Sequence, residues 1–353
     1  MDHSLLITGG CGFLGANLAS RAVERGWQVV VFDNLSRLGA DDNRRWLQRR
    51  HPELQFVHGD VRAFDDVERV VTARRPRAVF HLAGQVAMTT SLEAPLNDFQ
   101  INAQGTLNVL ECLRRHSPES ALVYASTNKV YGDLEQHRYA ETESRYVCLD
   151  RPHGFAEDEP LNFHSPYGCS KGAADQYCLD YHRMFGLKTV VLRHSSMYGG
   201  RQFATEDQGW IGWFCGEASA ARACGRLSTT ISGNGKQVRD ILHADDAGSA
   251  YFAAIDAIES TAGSAFNIGG GMDNSLSLQE LLAWLRDACS IEIDITRRPA
   301  RDSDQRVFVA NNAAFSAATG WQPTVGKAQG LAAMLDWSAA LAVPPSCNGP
   351  ESS

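Results

Sequence analysis

Tyr167 and Lys171 stand four residues apart in Ser165-Pro166-Tyr167-Gly168-Cys169-Ser170-Lys171. On a helix that spacing places both on one face, a turn apart. An ammonium fixed beside a phenol favours the phenolate, so the tyrosine could take a proton from an alcohol near neutral pH. Such a base needs a hydride acceptor, a second hydroxyl to hold the reacting oxygen, and a pocket that presents the alcohol. Thr127, at the end of an apolar run, supplies the second hydroxyl. Many helices carry a core tyrosine and a solvated lysine at this spacing, so the reading depends on what accompanies the pair.

The elements that would position these groups alternate along the chain. An apolar run over 4–8 reads as a buried strand, followed by Gly9-Gly10-Cys11-Gly12-Phe13-Leu14-Gly15 and a helical pattern to about residue 25. Glycines at 9, 12 and 15 permit a tight turn and close approach of backbone N–H groups to a pyrophosphate at a helix N-terminus. The next strand, 27–32, closes on Asp33, 18 residues after Gly15, which completes a dinucleotide-binding signature. A carboxylate at Asp33 would bind ribose hydroxyls and repel a 2′-phosphate, favouring NAD, whereas Arg37 leaves room for that phosphate. Strands at 55–58, 78–82 and 121–126 alternate with helices at 65–75 and 97–115. Asp60 and Val61 then fall at the sheet's C-terminal edge, where ligands bind in open parallel sheets. Ala83 and Gly84, after Leu82 and before Gln85, let a cofactor pass close to the backbone. The expectation is an α/β, Rossmann-type, doubly wound parallel sheet with a smaller C-terminal substrate-binding lobe. Residues 1–193 would form the NAD domain with its catalytic helix. Residues 194–343 would form mainly the lobe, with segments returning to the sheet, and 344–353 a flexible tail.

The chain has 353 residues and a net charge of −8, an acidic balance that argues against nucleic acid as a partner. No apolar run approaches a membrane span, and the N-terminus lacks the features of a signal peptide. Nine cysteines without Cys-x-x-Cys spacing fit reduced thiols in a cytoplasmic protein, and no cluster has metal-ligand spacing.

Thr127, Tyr167 and Lys171, together with the glycine-rich turn, resemble the extended short-chain dehydrogenase/reductase superfamily. Asn102-Ala103-Gln104-Gly105-Thr106, Arg239-Asp240 and His243-Ala244-Asp245-Asp246 resemble its sugar-nucleotide branch. The resemblance implies that Thr127 and Tyr167 hydrogen-bond the reacting hydroxyl and that Lys171 holds the nicotinamide ribose. It also implies cofactor contacts from Gly9, Gly12, Phe13, Leu14, Gly15, Asp33, Asn34, Arg37, Asp60, Val61, Leu82, Ala83, Gly84, Gln85, Asn102 and His194. The 97–115 and 166–185 helices are similar to those that form a homodimer interface in the superfamily.

Dehydratases of this branch carry acids directly after the Ser/Thr; here Asn128 and Lys129 follow Thr127. An amide and an ammonium cannot replace the acid and carboxylate of a β-elimination, which leaves reversible oxidation at one carbon, either epimerisation or oxidation with release of NADH, and decarboxylation of a uronic acid. The stretches 126–132, 133–165 and 193–210 resemble those of NAD-dependent epimerases acting at C2 of a CDP-linked hexose. Gln85, Asn128, Lys129, Ser196, Arg201, Gln208, Arg239, Arg301 and Asp304 are the expected substrate contacts, the arginines on the diphosphate and Asp304 on a ribose. Alternatives that share these residues are a 4-epimerase of a UDP-sugar, another NAD-dependent nucleotide-sugar oxidoreductase, and a non-enzymatic NAD sensor or scaffold.

Overall fold

In a computed structural model, residues 3–301 and 304–341 are described; the expected tail lies outside them. Seven parallel strands form the central sheet, in the order Ser264–Ile268, Lys188–His194, Ala121–Thr127, Ala78–His81, Ser4–Thr8, Gln28–Asp33 and Gln55–His58. The order reverses beside Ser4–Thr8, the switch point at which an open α/β sheet leaves a crevice for a ligand. Both faces are covered. One carries the Phe13–Glu24 and Ala244–Asp256 helices, around Leu18, Val31, Phe80 and Tyr251. The other carries Phe64–Arg74, Gly105–His116 and Ser165–Phe185, around Leu6, Val79, Val109 and Cys178. Strands buried on both faces need apolar residues at every position, which is why they read as continuous apolar runs.

The helix expected over 97–115 is broken. An α-turn at Pro95–Phe99 runs into a π-helical stretch, Gln100–Gln104, before the α-helix Gly105–His116. The single wide turn carries Asn102, and such bulges concentrate at functional sites. The catalytic-pair helix, Ser165–Phe185, starts with proline in its first turn and ends at Gly186, φ +72°, as the N-terminal proline, C-terminal glycine asymmetry requires.

The chain after residue 194 contributes one strand to the central sheet, Ser264–Ile268, and otherwise builds smaller sheets. Val238–His243 pairs with Ser196–Tyr198, Ser275–Ser277 and Val307–Phe308, while Arg226–Ser232 pairs with Glu292–Arg298. Their core comprises Ile211, Phe214, Ile241, Leu281, Leu285 and Met334. No described helix is long and apolar enough to cross a membrane.

Candidate active site at the sheet's C-terminal edge

The glycine-rich turn is packed to the limit of backbone contact. Gly9 has φ +67°, and a Cβ there would lie 2.6 Å from the Ala83 nitrogen; a Cβ on Gly15 would lie 2.2 Å from the Gly9 carbonyl oxygen. Only glycine permits this approach. At Gly12 the same atom would meet only the Gly9 carbonyl. Gly12 begins the Phe13–Glu24 helix without a side-chain cap, so first-turn N–H groups at Phe13 and Leu14 lack intrahelical acceptors. An open, positively polarised helix end over a cradle that side chains would fill fits a dinucleotide pyrophosphate.

Asp33 holds this turn, accepting hydrogen bonds from the Cys11 N–H at 2.9 Å and the Leu35 N–H at 2.8 Å. Burial raises its carboxyl pKa, and these bonds oppose the shift. Asn34 donates to Asp60 at 2.9 Å, and Arg62 pulls the Asp60 carboxyl down to about 2. Val61 is buried beneath them. Arg37 is exposed, and its side chain has no hydrogen bond or ion pair among the described residues.

Thr127 acts on Tyr167, lowering the pKa of its buried phenol. Lys171, 3% exposed, donates its Nζ to the Ala125 carbonyl at 2.6 Å and lies 4.6 Å from the centroid of the Tyr124 ring. The Tyr167 phenol departs from expectation: burial pushes it up to about 12, with Thr127 pulling it back. The ammonium is bonded to the Ala125 carbonyl of the strand, and desolvation brings Lys171 itself down to about 8.

A buried polar knot supports the pair. Asn102 accepts from the Gln85 N–H at 2.9 Å and donates to Ser170 at 3.0 Å and Asp98 at 3.2 Å. Ser170 donates to Asp98. A Cβ on Gly84 would sit 3.1 Å from the Asn102 carboxamide oxygen and 3.4 Å from Lys171 Nζ. Asp98 and Ser170 escaped the sequence reading, although Asp98 precedes Asn102 by four residues and Ser170 directly precedes Lys171. A second knot lies below: Arg193 grips Asp175 through two 2.9 Å bonds, and Ser126 donates to Asp175 at 2.7 Å.

Several expected contacts are otherwise engaged. The Gln85 carboxamide donates to Asp98 and the Ala87 carbonyl and accepts from the Ala87 N–H, so its side chain holds its own loop and offers nothing to cofactor or substrate. His194 is 4% exposed, bonded through both ring nitrogens to the Ser126 carbonyl and Tyr251; burial lowers it to about 4. It is a packing residue. His81, between Thr8 and Thr106, is another. Arg201 lies over Trp337 at 3.9 Å and Trp46 at 4.9 Å, with φ +69° and its carbonyl bonded to Asn43 of the Ala40–Arg50 helix. Its cation is absorbed by two indole faces.

Of the other expected substrate contacts, Lys129, Arg239 and Asp304 come together. Arg239 bonds Asp304 at 2.7 Å, and Lys129 is brought to about 8 by burial and by the charge of Arg239. Asn128 lies at their edge, donating to Gln305 at 2.7 Å. Ser196 accepts from the Trp210 indole at 3.2 Å, and a buried Gln208 side-chain oxygen has no protein partner. Arg301 is exposed and stands apart from Arg239 in its hydrogen bonding. Among the described residues no acidic, histidine or cysteine cluster could hold a metal.

A profile described as the NAD dependent epimerase/dehydratase family matches residues 5–269. The chain is 57% identical over 337 residues to the CDP-paratose 2-epimerase of Salmonella typhi, covering 96% of this chain and 99% of that protein. The solved UDP-glucose 4-epimerase of Thermotoga maritima with UDP-glucose superposes with a TM-score of 0.81 at 26% identity, over 96% of this chain and 99% of that one. The Thermus thermophilus UDP-glucose 4-epimerase complexed with NAD gives 0.79 at 28%, over 95% and 98%. With the glycine cradle, the parallel sheet and the match across most of its length, this chain belongs to the NAD dependent epimerase/dehydratase family.

Proposed function

We infer that the chain is an NAD-dependent epimerase that inverts C2 of a CDP-linked hexose, interconverting CDP-paratose and CDP-tyvelose. The observation that carries the choice of substrate is the 57% identity, across nearly both full lengths, to a CDP-paratose 2-epimerase. In this reading Tyr167, as phenolate, takes the proton of the C2 hydroxyl while the C2 hydrogen departs with its electron pair, leaving a 2-keto sugar. NAD, when bound, would supply a reversible hydride acceptor, so no net redox change would occur. Thr127 holds the reacting oxygen throughout. The keto sugar turns its other face, hydride returns to C2, and Tyr167 restores the proton. Lys171 holds the nicotinamide ribose, and the unclaimed N–H groups at Phe13 and Leu14 take the pyrophosphate. Arg239, Lys129 and Asp304 hold the nucleotide end of the substrate. Asn128, in the position where dehydratases carry an acid, supports epimerisation over loss of water.

The raised Tyr167 pKa is compatible with this role. At about 12 the phenol is almost wholly protonated near neutrality. The positive charge of an oxidised nicotinamide and the ribose hydroxyls bonded to Lys171 would favour the phenolate once the cofactor is in place. The nucleotide and carbon are tested by offering CDP-, GDP- and UDP-hexoses and assigning products by proton coupling constants. Inversion at C4 of a UDP-hexose, with CDP-paratose untouched, would replace this function by its 4-epimerase alternative.

We also propose a homodimer. Leu96, Phe99, Tyr177, Met184 and Phe185 are exposed on helices that pack side by side, an apolar face suited to a second copy. Light scattering should return about twice the 38.6 kDa chain mass, and charged residues at Phe99 and Tyr177 should halve it; a parent protein already monomeric contradicts the proposal.

A further inference from the structure

Behind Thr127 lies a carboxamide pair that the reaction above does not use. Gln305, fully buried, donates its Nε2 to the Gly132 carbonyl at 2.6 Å, and its Oε1 accepts from Asn128 Nδ2 at 2.7 Å. These bonds leave no freedom of orientation. A carbonyl only accepts, so Gly132 must face the amide NH₂ of Gln305. The Gln305 oxygen must then face Asn128, which must present its own NH₂. Asn128 Oδ1 is thereby turned to Thr127, whose hydroxyl donates to it at 3.4 Å. With its hydrogen directed there, Thr127 accepts from the Lys129 N–H at 3.2 Å, while its hydroxyl remains near enough to the Tyr167 phenol to act on it.

We propose that Gln305 is a positioning residue: by fixing the Asn128 carboxamide, it holds the Thr127 hydrogen away from Tyr167 until a sugar oxygen competes for it. The inference rests on the roles given above to Thr127 and Tyr167. The Thr127–Asn128 bond is long for O–H···O and easily surrendered. When a keto oxygen forms, Thr127 can rotate its hydrogen onto that oxygen, where negative charge develops on hydride return. Its lone pairs remain available to the Lys129 N–H. No proton changes owner in this rotation. The arrangement continues to the proposed nucleotide end, because the Gln305 carbonyl accepts from Arg239 at 2.8 Å and Arg239 bonds Asp304. A run of hydrogen bonds therefore joins Thr127, Asn128, Gln305 and Arg239.

Two substitutions should move Tyr167 in opposite directions. Gln305→Met frees Asn128 to rotate and donate to Thr127, which turns the Thr127 hydrogen onto the phenolic oxygen and favours phenolate. Asn128→Asp keeps an acceptor facing Thr127 but adds a negative charge, which disfavours phenolate. The test is NMR titration of the NAD-loaded holoenzyme labelled with ¹³Cζ-tyrosine, the Tyr167 signal being identified by its loss in Tyr167→Phe. Relative to the parent, the Tyr167 pKa should fall by about one unit in Gln305→Met and rise by about one in Asn128→Asp. Turnover should drop about tenfold in Gln305→Met with little change in KM, since it is the hydride-return step that loses its oriented donor. An unmoved Tyr167 signal in Gln305→Met, even with a lowered melting temperature, overturns the proposal and leaves Gln305 a packing residue. Should Gln305→Met not fold, Asn128→Asp decides: the absence of a rise overturns the proposal. The titration needs no substrate, so its outcome is separate from whether CDP-paratose is turned over by the parent enzyme.

Discussion

Asp175 and Arg193 are a sensitive point of the fold. Asp175 is wholly buried on the Ser165–Phe185 helix, one turn after Lys171, and Arg193 is 4% exposed on the neighbouring strand. Their bidentate contact and the Ser126 hydroxyl fasten the catalytic helix to the sheet beneath Thr127. Asp175→Leu strands a guanidinium whose remaining hydrogen-bond partner is the Tyr131 hydroxyl at 3.0 Å. Removing one partner of a buried pair costs about 3–5 kcal/mol, most of it the cost of leaving the other charge buried and unpaired. Arg193→Leu should cost a similar amount. The double variant, with no charge left to solvate, should be destabilised by well under the sum, because apolar replacement of a whole buried pair is often nearly neutral. Urea unfolding at one fixed NAD concentration measures all four proteins on one scale. The same variants should lose bound NAD, since Lys171 rides on the loosened helix. A loss below about 1 kcal/mol in Asp175→Leu, or single effects that simply add in the double variant, would refute the reasoning.

Tyr167→Phe should lower turnover by about 10²–10⁴-fold while NAD content holds, because removing one hydroxyl costs only about 1 kcal/mol of stability; more than a tenth of parental turnover would remove Tyr167 from the role. Gly15→Ala should strip the purified protein of NAD, read from cofactor released on denaturation, since its Cβ would press on the Gly9 carbonyl at 2.2 Å; full occupancy would contradict the cradle. Stability should fall on mild acidification. Burial holds His81 near 3 and His194 near 4, below the ordinary 6.5, so the unfolded chain binds more protons between those values. Their neutral-state stabilisation is complete above pH 6.5 and is lost as pH falls below it, by up to about 1.4 kcal/mol per histidine per pH unit. Melting temperatures compared at pH 7.5 and 5.5 should drop less in His194→Gln; an identical drop would exclude His194 from the effect.

What the sequence made legible was local and periodic. The glycine spacing, Asp33 and the apolar strands announced the sheet and its cofactor crevice, because a parallel strand buried on both faces leaves an unbroken apolar run. The Tyr167–Lys171 spacing placed both on one helix, as that element now shows. Effects of depth were illegible. Lys171 was expected to depress the tyrosine, but burial dominates and the ammonium is drawn to the Ala125 carbonyl. Gln85 and His194 look like ligand contacts in their motifs, yet both are turned inward by partners distant in sequence. Gln305 gave no signal of its own, since it acts through Asn128, which only the fold brings near. The π-helical turn at Asn102 was invisible for a related reason: its one extra residue leaves the amphipathic pattern almost intact.

Transient oxidation at C2 fixes the fate of one hydrogen. When the holoenzyme converts CDP-paratose in D₂O, proton NMR should show the H2 couplings change to those of the C2 epimer while C2 keeps its protium, because hydride leaves and returns without meeting solvent. Deuterium at C2, or inversion at any other carbon, would contradict it.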